Sequence, residues 1–251
     1  MIDAAQEMCT RLSAPTFRRR RIRPVGIMAN VNPRSPRPPV IGFDLDLTLI
    51  DTREATAHAL RTANKELGER IDVDAFVSNL GPPIRGELRQ WVPEARLDAA
   101  VAAFRATFTG TGLRYLRPCP GATDILQALS REGGRSIVIT SRRPFVARAA
   151  LEATGLRAAM LVGGLTGIEK APAMIGNGVA AYVGDHALDM LGAAAAGIPG
   201  SGVLTGAHDE AELRTAGACL VVSTLTDLLG ILRLCWQVSS RTTTPQAAEG
   251  A

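Results

Sequence analysis

Ile41-Gly42-Phe43-Asp44-Leu45-Asp46-Leu47-Thr48 carries an apolar run straight into two carboxylates set two positions apart. The run reads as a buried strand over 40–45, with the acids at its carboxyl end. In an open α/β sheet that edge is where ligands bind. Two carboxylates buried there without a cation would be strongly unfavourable. A Mg²⁺ ion resolves the conflict, because it takes oxygen ligands and leaves positions open for a phosphate. The alternative is a pair of loop aspartates that cap the next helix.

Working outward, the chain alternates short apolar runs with amphipathic stretches, the pattern of a parallel sheet covered by helices. Strands are expected at 40–45, 136–140, 159–163, 180–184, 202–204 and 219–222, and helices at 123–131, 145–154, 188–196, 209–216 and 225–236. Gly133-Gly134, Gly155, Gly197 and Gly217 fall where those helices should stop. One stretch breaks the alternation. Between residues 54 and 116 the periodicity is helical throughout, at 54–66, 73–79, 84–91 and 94–107. The expected fold is therefore a three-layer, Rossmann-like, mainly parallel α/β core, 39–53 and 117–237, with an α-helical cap inserted at 54–116. Arg117-Pro118-Cys119-Pro120-Gly121 would be the return hinge.

Three further features carry chemistry. Tyr182-Val183-Gly184-Asp185 is a second apolar strand ending in an acid, with Asp189 four residues on. At that spacing one helical turn places both acids on one face, where they repel unless a cation lies beside them. His186 between them reads as a loop side chain, since Mg²⁺ prefers oxygen. Ile137-Val138-Ile139-Thr140-Ser141 ends a third strand in two hydroxyls before Pro144, a cradle for phosphate or simply a helix cap. Lys170 is one of only two lysines, with Lys65, in a chain of 26 arginines. Its compact ammonium can sit between a phosphate and carboxylates without arginine's wide planar fork; the alternative is an ordinary surface lysine.

In this order, Asp44-x-Asp46-x-Thr48, Thr140, Lys170 and Gly184-Asp185-x-x-x-Asp189 resemble the four signature motifs of the haloacid dehalogenase superfamily. The helical insert is similar to its C1-type cap. The likeness runs from about Val40 to Trp236. Leu116-Arg117-Pro118-Cys119-Pro120-Gly121 and Ala193-Ala194-Ala195-Ala196-Gly197 resemble its phosphoglycolate-phosphatase-like branch. The resemblance implies a Mg²⁺-dependent phosphatase that hydrolyses a small phosphomonoester through an aspartyl-phosphate. Asp44 would be the nucleophile and Asp46 the acid that protonates the leaving oxygen and then activates water. The metal would be held by the Asp44 carboxylate, the Asp46 backbone carbonyl and Asp185. Thr140, with Ser141, would bind phosphate, and Lys170 would neutralise phosphate and nucleophile. Asp189 would support the metal site or orient Lys170, and Thr48 would stabilise the turn after Asp46. Within the cap, Gly81-Pro82-Pro83-Ile84-Arg85-Gly86-Glu87-Leu88-Arg89 resembles the specificity loop, where Arg85 or Arg89 would meet a carboxylate or second phosphate of the substrate; the alternative is a solvent-facing helix with ordinary arginines. Two departures stand out. Lys170 is followed by Ala171-Pro172 where relatives carry lysine-proline directly, and only 15 positions separate Lys170 from Asp185. A phosphosugar mutase shares the same core motifs. A dehalogenase would leave Asp46 without a role, a phosphonatase lacks a convincing cap lysine, and an idle binding module would be free to lose these residues.

Composition narrows the remaining classes. The chain has 251 residues, 46% hydrophobic and 4% aromatic, with a net charge of +4. Few aromatics argue against a nucleic-acid stacking platform, and no apolar stretch approaches the roughly 20 residues of a membrane span. Cys9, Cys119, Cys219 and Cys235 show no metal-ligand spacing and fit reduced thiols in a cytoplasmic protein. The positive charge is local. Residues 1–38 carry eight arginines against Asp3 and Glu7, a balance of +6, which leaves the other 213 residues at −2. With Pro15, Pro24, Pro33, Pro36 and Pro38 and no apolar periodicity, this leader is expected to be disordered, as is the tail from about Val238.

Overall fold

The computed structural model describes residues 39–81 and 83–241, with side chains through Leu234. The expected leader at 1–38 lies outside the described residues. In chain order the elements are β1 (Val40–Phe43), β2 (Ile50–Asp51), α1 (Arg53–Leu67), α2 (Val73–Ser78), α3 (Ile84–Leu88), α4 (Glu94–Thr109) and β3 (Arg117–Pro118). There follow α5 (Ala122–Arg131), β4 (Arg135–Thr140), α6 (Pro144–Thr154), β5 (Met160–Gly163), α7 (Ala171–Gly176), β6 (Ala181–Gly184) and α8 (Ala187–Ala195). The chain closes with β7 (Gly200–Val203), α9 (Glu210–Thr215), β8 (Ala218–Val222) and α10 (Leu225–Arg241). Short 3₁₀ turns span Thr111–Tyr115 and Gly167–Lys170.

Six strands form one parallel sheet in the order β5-β4-β1-β6-β7-β8. After β1 the chain lays down β4 and β5 on one side, then crosses back to β6 on the other. The strand order thus reverses beside β1, where crevices open at the carboxyl ends. Alternation along each strand divides the side chains between two buried faces. Ile41, Phe43, Val138, Ala181 and Val183 pack toward α5, α6 and α10 through Ile125, Leu129, Val146, Leu225 and Leu229. Val40, Ile137, Ile139 and Tyr182 face α7 and α8 through Met174 and Ala193. Burial on both faces is what makes the strands read as unbroken apolar runs.

Between β2 and β3 the chain is helical, as the periodicity requires. Ala59, Leu60 and Ala63 of α1 pack with Leu97, Val101, Phe104 and Phe108 of α4, and this apolar cluster is continuous with one face of the sheet. The sequence reading had no counterpart for β2 and β3. They pair antiparallel, Ile50 with Pro118 and Asp51 with Arg117, so the outgoing and returning linkers of the helical insert are tied side by side. At the far end, α10 runs through Arg241, past both the expected helix end at Trp236 and the expected tail start at Val238. No proline interrupts the chain there before Pro245. Among the described cysteines, Cys119 and Cys219 are free, and burial pushes the Cys119 thiol up to about 12, leaving it inert. No described helix is long and apolar enough to cross a membrane.

Candidate active site

Because β1 lies between β4 and β6, the strand ends bearing Asp44, Thr140 and Asp185 are neighbours. β1 stops at Phe43, one residue before the first acid. The chain then turns tightly. Leu49 N–H and Ile50 N–H both donate to the Leu45 carbonyl, at 3.0 and 2.9 Å. Leu47 takes a positive φ of 56°, a conformation rare outside glycine and typical of functional turns. Leu45 and Leu49 are fully buried and anchor the turn from below.

Asp44, Asp185 and Asp189 converge, with carboxylate oxygens all within 4.8 Å of one another and all three residues buried. Lys170 Nζ reaches into this cluster, donating to Asp44 Oδ1 and Asp189 Oδ1 at 2.6 Å each and to the Tyr182 hydroxyl at 3.0 Å. The Tyr182 hydroxyl in turn donates to the Ile139 carbonyl at 2.6 Å. Three carboxylates against one ammonium leave an excess of negative charge in a buried place. Burial raises Asp44 to about 7 despite the opposing pull of Lys170, and burial with the Asp189 and Asp44 charges holds Asp185 well above its ordinary range. Burial works against the Lys170 ammonium, but Asp189 and Asp44 outweigh it and keep the amine protonated. An all-oxygen donor set with surplus charge fits a hard divalent cation. Asp185 is braced where such an ion would need it. Thr48 Oγ1 donates to its Oδ1 at 2.7 Å, and a Cβ at Gly206 would collide with its carboxylate. The expected role of Thr48 in stabilising the turn is thus joined by a contact 137 positions away.

Asp46 points elsewhere. Its carboxylate meets the Arg142 guanidinium, whose Nε lies 3.1 Å from Oδ1 and 2.9 Å from Oδ2, with Nη2 also on Oδ1. Arg142 was not singled out in the sequence, although Thr140-Ser141-Arg142-Arg143 places it directly after the hydroxyl pair. Thr140 is fully buried, and its hydroxyl accepts from the Arg142 N–H at 3.2 Å. His186 stays a loop residue: its Nδ1 accepts from Leu188 N–H at 3.0 Å at the start of α8. Burial, with His208 beside it, lowers His186 to about 4, so the ring is neutral near pH 7.

Two cavities adjoin here. One of about 40 Å³ is lined by Asp44, Asp185, Asp189 and Thr166. Another of about 150 Å³ lies under the helical insert, against Phe76, Ile84, Phe104 and Phe108. Asp46, Ser141, Leu80 and Gly81 line both. For the insert's arginines the structure favours the solvent-facing alternative. Gly81, Pro83 and Ile84 do face the larger cavity, but Arg85 pairs with Asp98 and Glu94, and Arg89 with Glu94. Arg85 in α3 and Arg89 just past its end lie about one turn apart, so both meet acids near the start of α4. The cations that line the cavity are Arg105, Arg142 and Arg143.

Comparison with known proteins agrees with this geometry. Residues 41–203 match the model of the haloacid dehalogenase-like hydrolases. The chain is 30% identical to a probable phosphatase IndB of Dickeya dadantii, over 80% of this chain and 96% of that one. It is 32% identical to a phosphoglycolate phosphatase of Xylella fastidiosa, over 69% and 84% of the two chains. In fold it resembles a haloacid dehalogenase-like hydrolase from Streptococcus pneumoniae, with a TM-score of 0.70 at 21% identity, covering 77% of this chain and 98% of that one. With the motif residues gathered at adjoining strand ends and the family match spanning the sheet, the chain belongs to the haloacid dehalogenase-like hydrolases, in their phosphoglycolate-phosphatase-like branch.

Proposed function

We propose that this phosphoric monoester hydrolase is Mg²⁺-dependent and acts on a small phosphomonoester through a phosphorylated Asp44. The observation that carries the reading is the place of Asp46, on the boundary between a small, acid-lined cavity and a larger, partly apolar one. A phosphoryl group over Asp44 would leave its ester oxygen beside Asp46 and its organic part in the larger cavity.

In the first step an Asp44 carboxylate oxygen forms a bond to phosphorus while the ester P–O bond breaks, and Asp46 gives its proton to the departing oxygen. In the second, Asp46 takes a proton from water, the water oxygen bonds to phosphorus, and the acyl-phosphate P–O bond breaks to free Asp44 and inorganic phosphate. Thr140 and Ser141 bind phosphoryl oxygens. Lys170 offsets the charge of Asp44 and the phosphoryl group, while Asp189 orients Lys170. Asp44, Asp185 and the Asp46 carbonyl would hold Mg²⁺, which supplies charge neutralisation to the transferring group. The helices at 54–116 serve as the cap and residues 39–53 with 117–237 as the core, joined through the β2–β3 pair. Such a lid excludes water in the first step and admits it in the second.

Release of inorganic phosphate from a panel of small phosphomonoesters, with Mg²⁺ and with chelator, tests the reading. Mg²⁺-dependent release is the expected result. Isomerisation of a phosphosugar without phosphate release would identify the mutase instead, and no reaction with any ester would refute both.

A further inference from the structure

Arg142 joins two parts of the molecule that the chemistry needs in register. Its guanidinium meets both oxygens of Asp46, and the same group lies 4.2 Å from the ring centroid of Phe108. Phe108 belongs to α4 of the helical insert and is almost fully buried. Asp46 belongs to the turn after β1. The pair itself is well shielded, with side-chain exposures of 18% for Arg142 and 22% for Asp46. Among the described residues, Asp46 is also the only carboxylate lining the larger cavity, against Arg105, Arg142 and Arg143. Of these three cations, Arg142 is the one paired with Asp46, through both Nε and Nη2.

We propose that Arg142 is a positioning residue, which holds the Asp46 carboxylate at the junction of the two cavities and links its place to the seating of the helical insert through Phe108. The inference rests on the phosphatase reading, in which Asp46 serves the leaving oxygen. A planar guanidinium can grip a carboxylate with two N–H groups while its face stacks on an aromatic ring; an ammonium cannot do both. The arrangement gives Asp46 its aim only while α4 lies over the cleft. An acid misplaced by about 1 Å loses on the order of 100-fold in rate.

The test compares two esters with uncharged leaving groups, so that cation-to-substrate attraction is not what varies. Glycerol 2-phosphate needs a proton on its departing oxygen; 4-nitrophenyl phosphate departs without one. In Arg142→Ala the kcat/KM for glycerol 2-phosphate, which reports the first phosphoryl transfer and not the hydrolysis step common to both esters, should fall by about 30- to 100-fold relative to that for 4-nitrophenyl phosphate. Arg142→Lys should restore little of the ratio. Phe108→Leu, which keeps an apolar side chain but removes the ring face, should shift the ratio in the same direction by a smaller factor. In an Asp46→Asn background, Arg142→Ala should leave the ratio where Asp46→Asn has already put it, because the group it positions is gone. Equal losses of kcat/KM on both esters, full rescue by lysine, or a loss that adds to that of Asp46→Asn would overturn the inference while leaving the phosphatase reading standing. Failure of the unsubstituted enzyme with Mg²⁺ to hydrolyse either ester would overturn both.

Discussion

Lys170→Met removes one charge from the buried cluster and keeps nearly the same side-chain length. In the native protein Lys170 is only 3% exposed and donates to Asp44 and Asp189 at 2.6 Å each. Without it, Asp44, Asp185 and Asp189 face one another with no cation, and the Tyr182 hydroxyl loses a donor. Breaking a buried pair from one side costs about 3–5 kcal/mol. At about 2–4 °C per kcal/mol for a domain of this size, the melting temperature should fall by roughly 6–20 °C in metal-free buffer near pH 8. The loss should depend on pH, and its sign follows from Asp44. Burial raises that carboxyl from 3.8 to about 7 in the folded protein while Lys170 opposes the rise, so removing Lys170 raises it further. A folded-state value above the unfolded one means that the native protein binds the extra proton. Stability is therefore lost as pH rises from the unfolded value through the folded one. The Asp44 share of the Lys170→Met penalty grows as pH rises above about 7, so it is larger near pH 8 than in mild acid. At about pH 5.5 both proteins hold Asp44 protonated, and the Asp44 share of the difference vanishes. Urea unfolding in chelator at the two pH values measures both differences. A difference below about 1 kcal/mol near pH 8, or one unchanged at the lower pH, would refute the assignment of Lys170 as the counter-charge of the buried acids.

Other substitutions probe the remaining parts of the site. Asp44→Asn should abolish phosphate release, since an amide is not a usable nucleophile, yet raise metal-free stability above about pH 7 by removing a buried charge, as read by thermal unfolding. Thr48→Val removes the hydroxyl that holds Asp185 Oδ1; Mg²⁺ affinity by calorimetric titration should weaken by about 10- to 100-fold, with the fold retained by circular dichroism. Arg85→Ala should leave both melting temperature and substrate preference essentially unchanged, because its guanidinium is engaged by Asp98 and Glu94 on the surface of the helical insert. A changed preference on a panel of anionic and neutral esters would return Arg85 to the cleft.

The sheet and its helices were legible because each carries a local signal. Strands buried on both faces are continuous apolar runs, and Gly133, Gly155, Gly197 and Gly217 all adopt positive φ where a helix has just ended. The β2–β3 pair was not legible. Two residues per strand are too few for a period, and the pair exists only because the outgoing and returning linkers lie together. Arg142 was hidden by composition: among 26 arginines no single one stands out, and its partner Asp46 lies 96 positions away. Arg85 shows the converse limit. A motif-like loop is compatible with a ligand contact and equally with an ordinary solvent-facing arginine, and the choice between Asp98 or Glu94 of α4 and a ligand is made by the fold.

The placing of Lys170 follows from the local structure on either side of it. The stretch before it is set by a capping box, in which the Thr166 side chain and the Glu169 side chain each bond the other's backbone N–H. That closes a 3₁₀ turn over Gly167–Lys170 and aims Lys170 inward before α7 begins with Ala171-Pro172. Proline near the start of a helix removes an N–H that would have had no helical partner, so α7 can begin at once. The turn then rests on α8 at Gly192, where a Cβ would strike the Gly167 carbonyl. A close backbone approach thus seats this turn on α8, while α7 itself has only six residues. Asp189, on the same helix as Gly192, receives the ammonium. The turn that carries the lysine and the acid that accepts its hydrogen bond are therefore packed against each other, which places the Lys170 ammonium within reach of Asp44, 126 positions away in the chain.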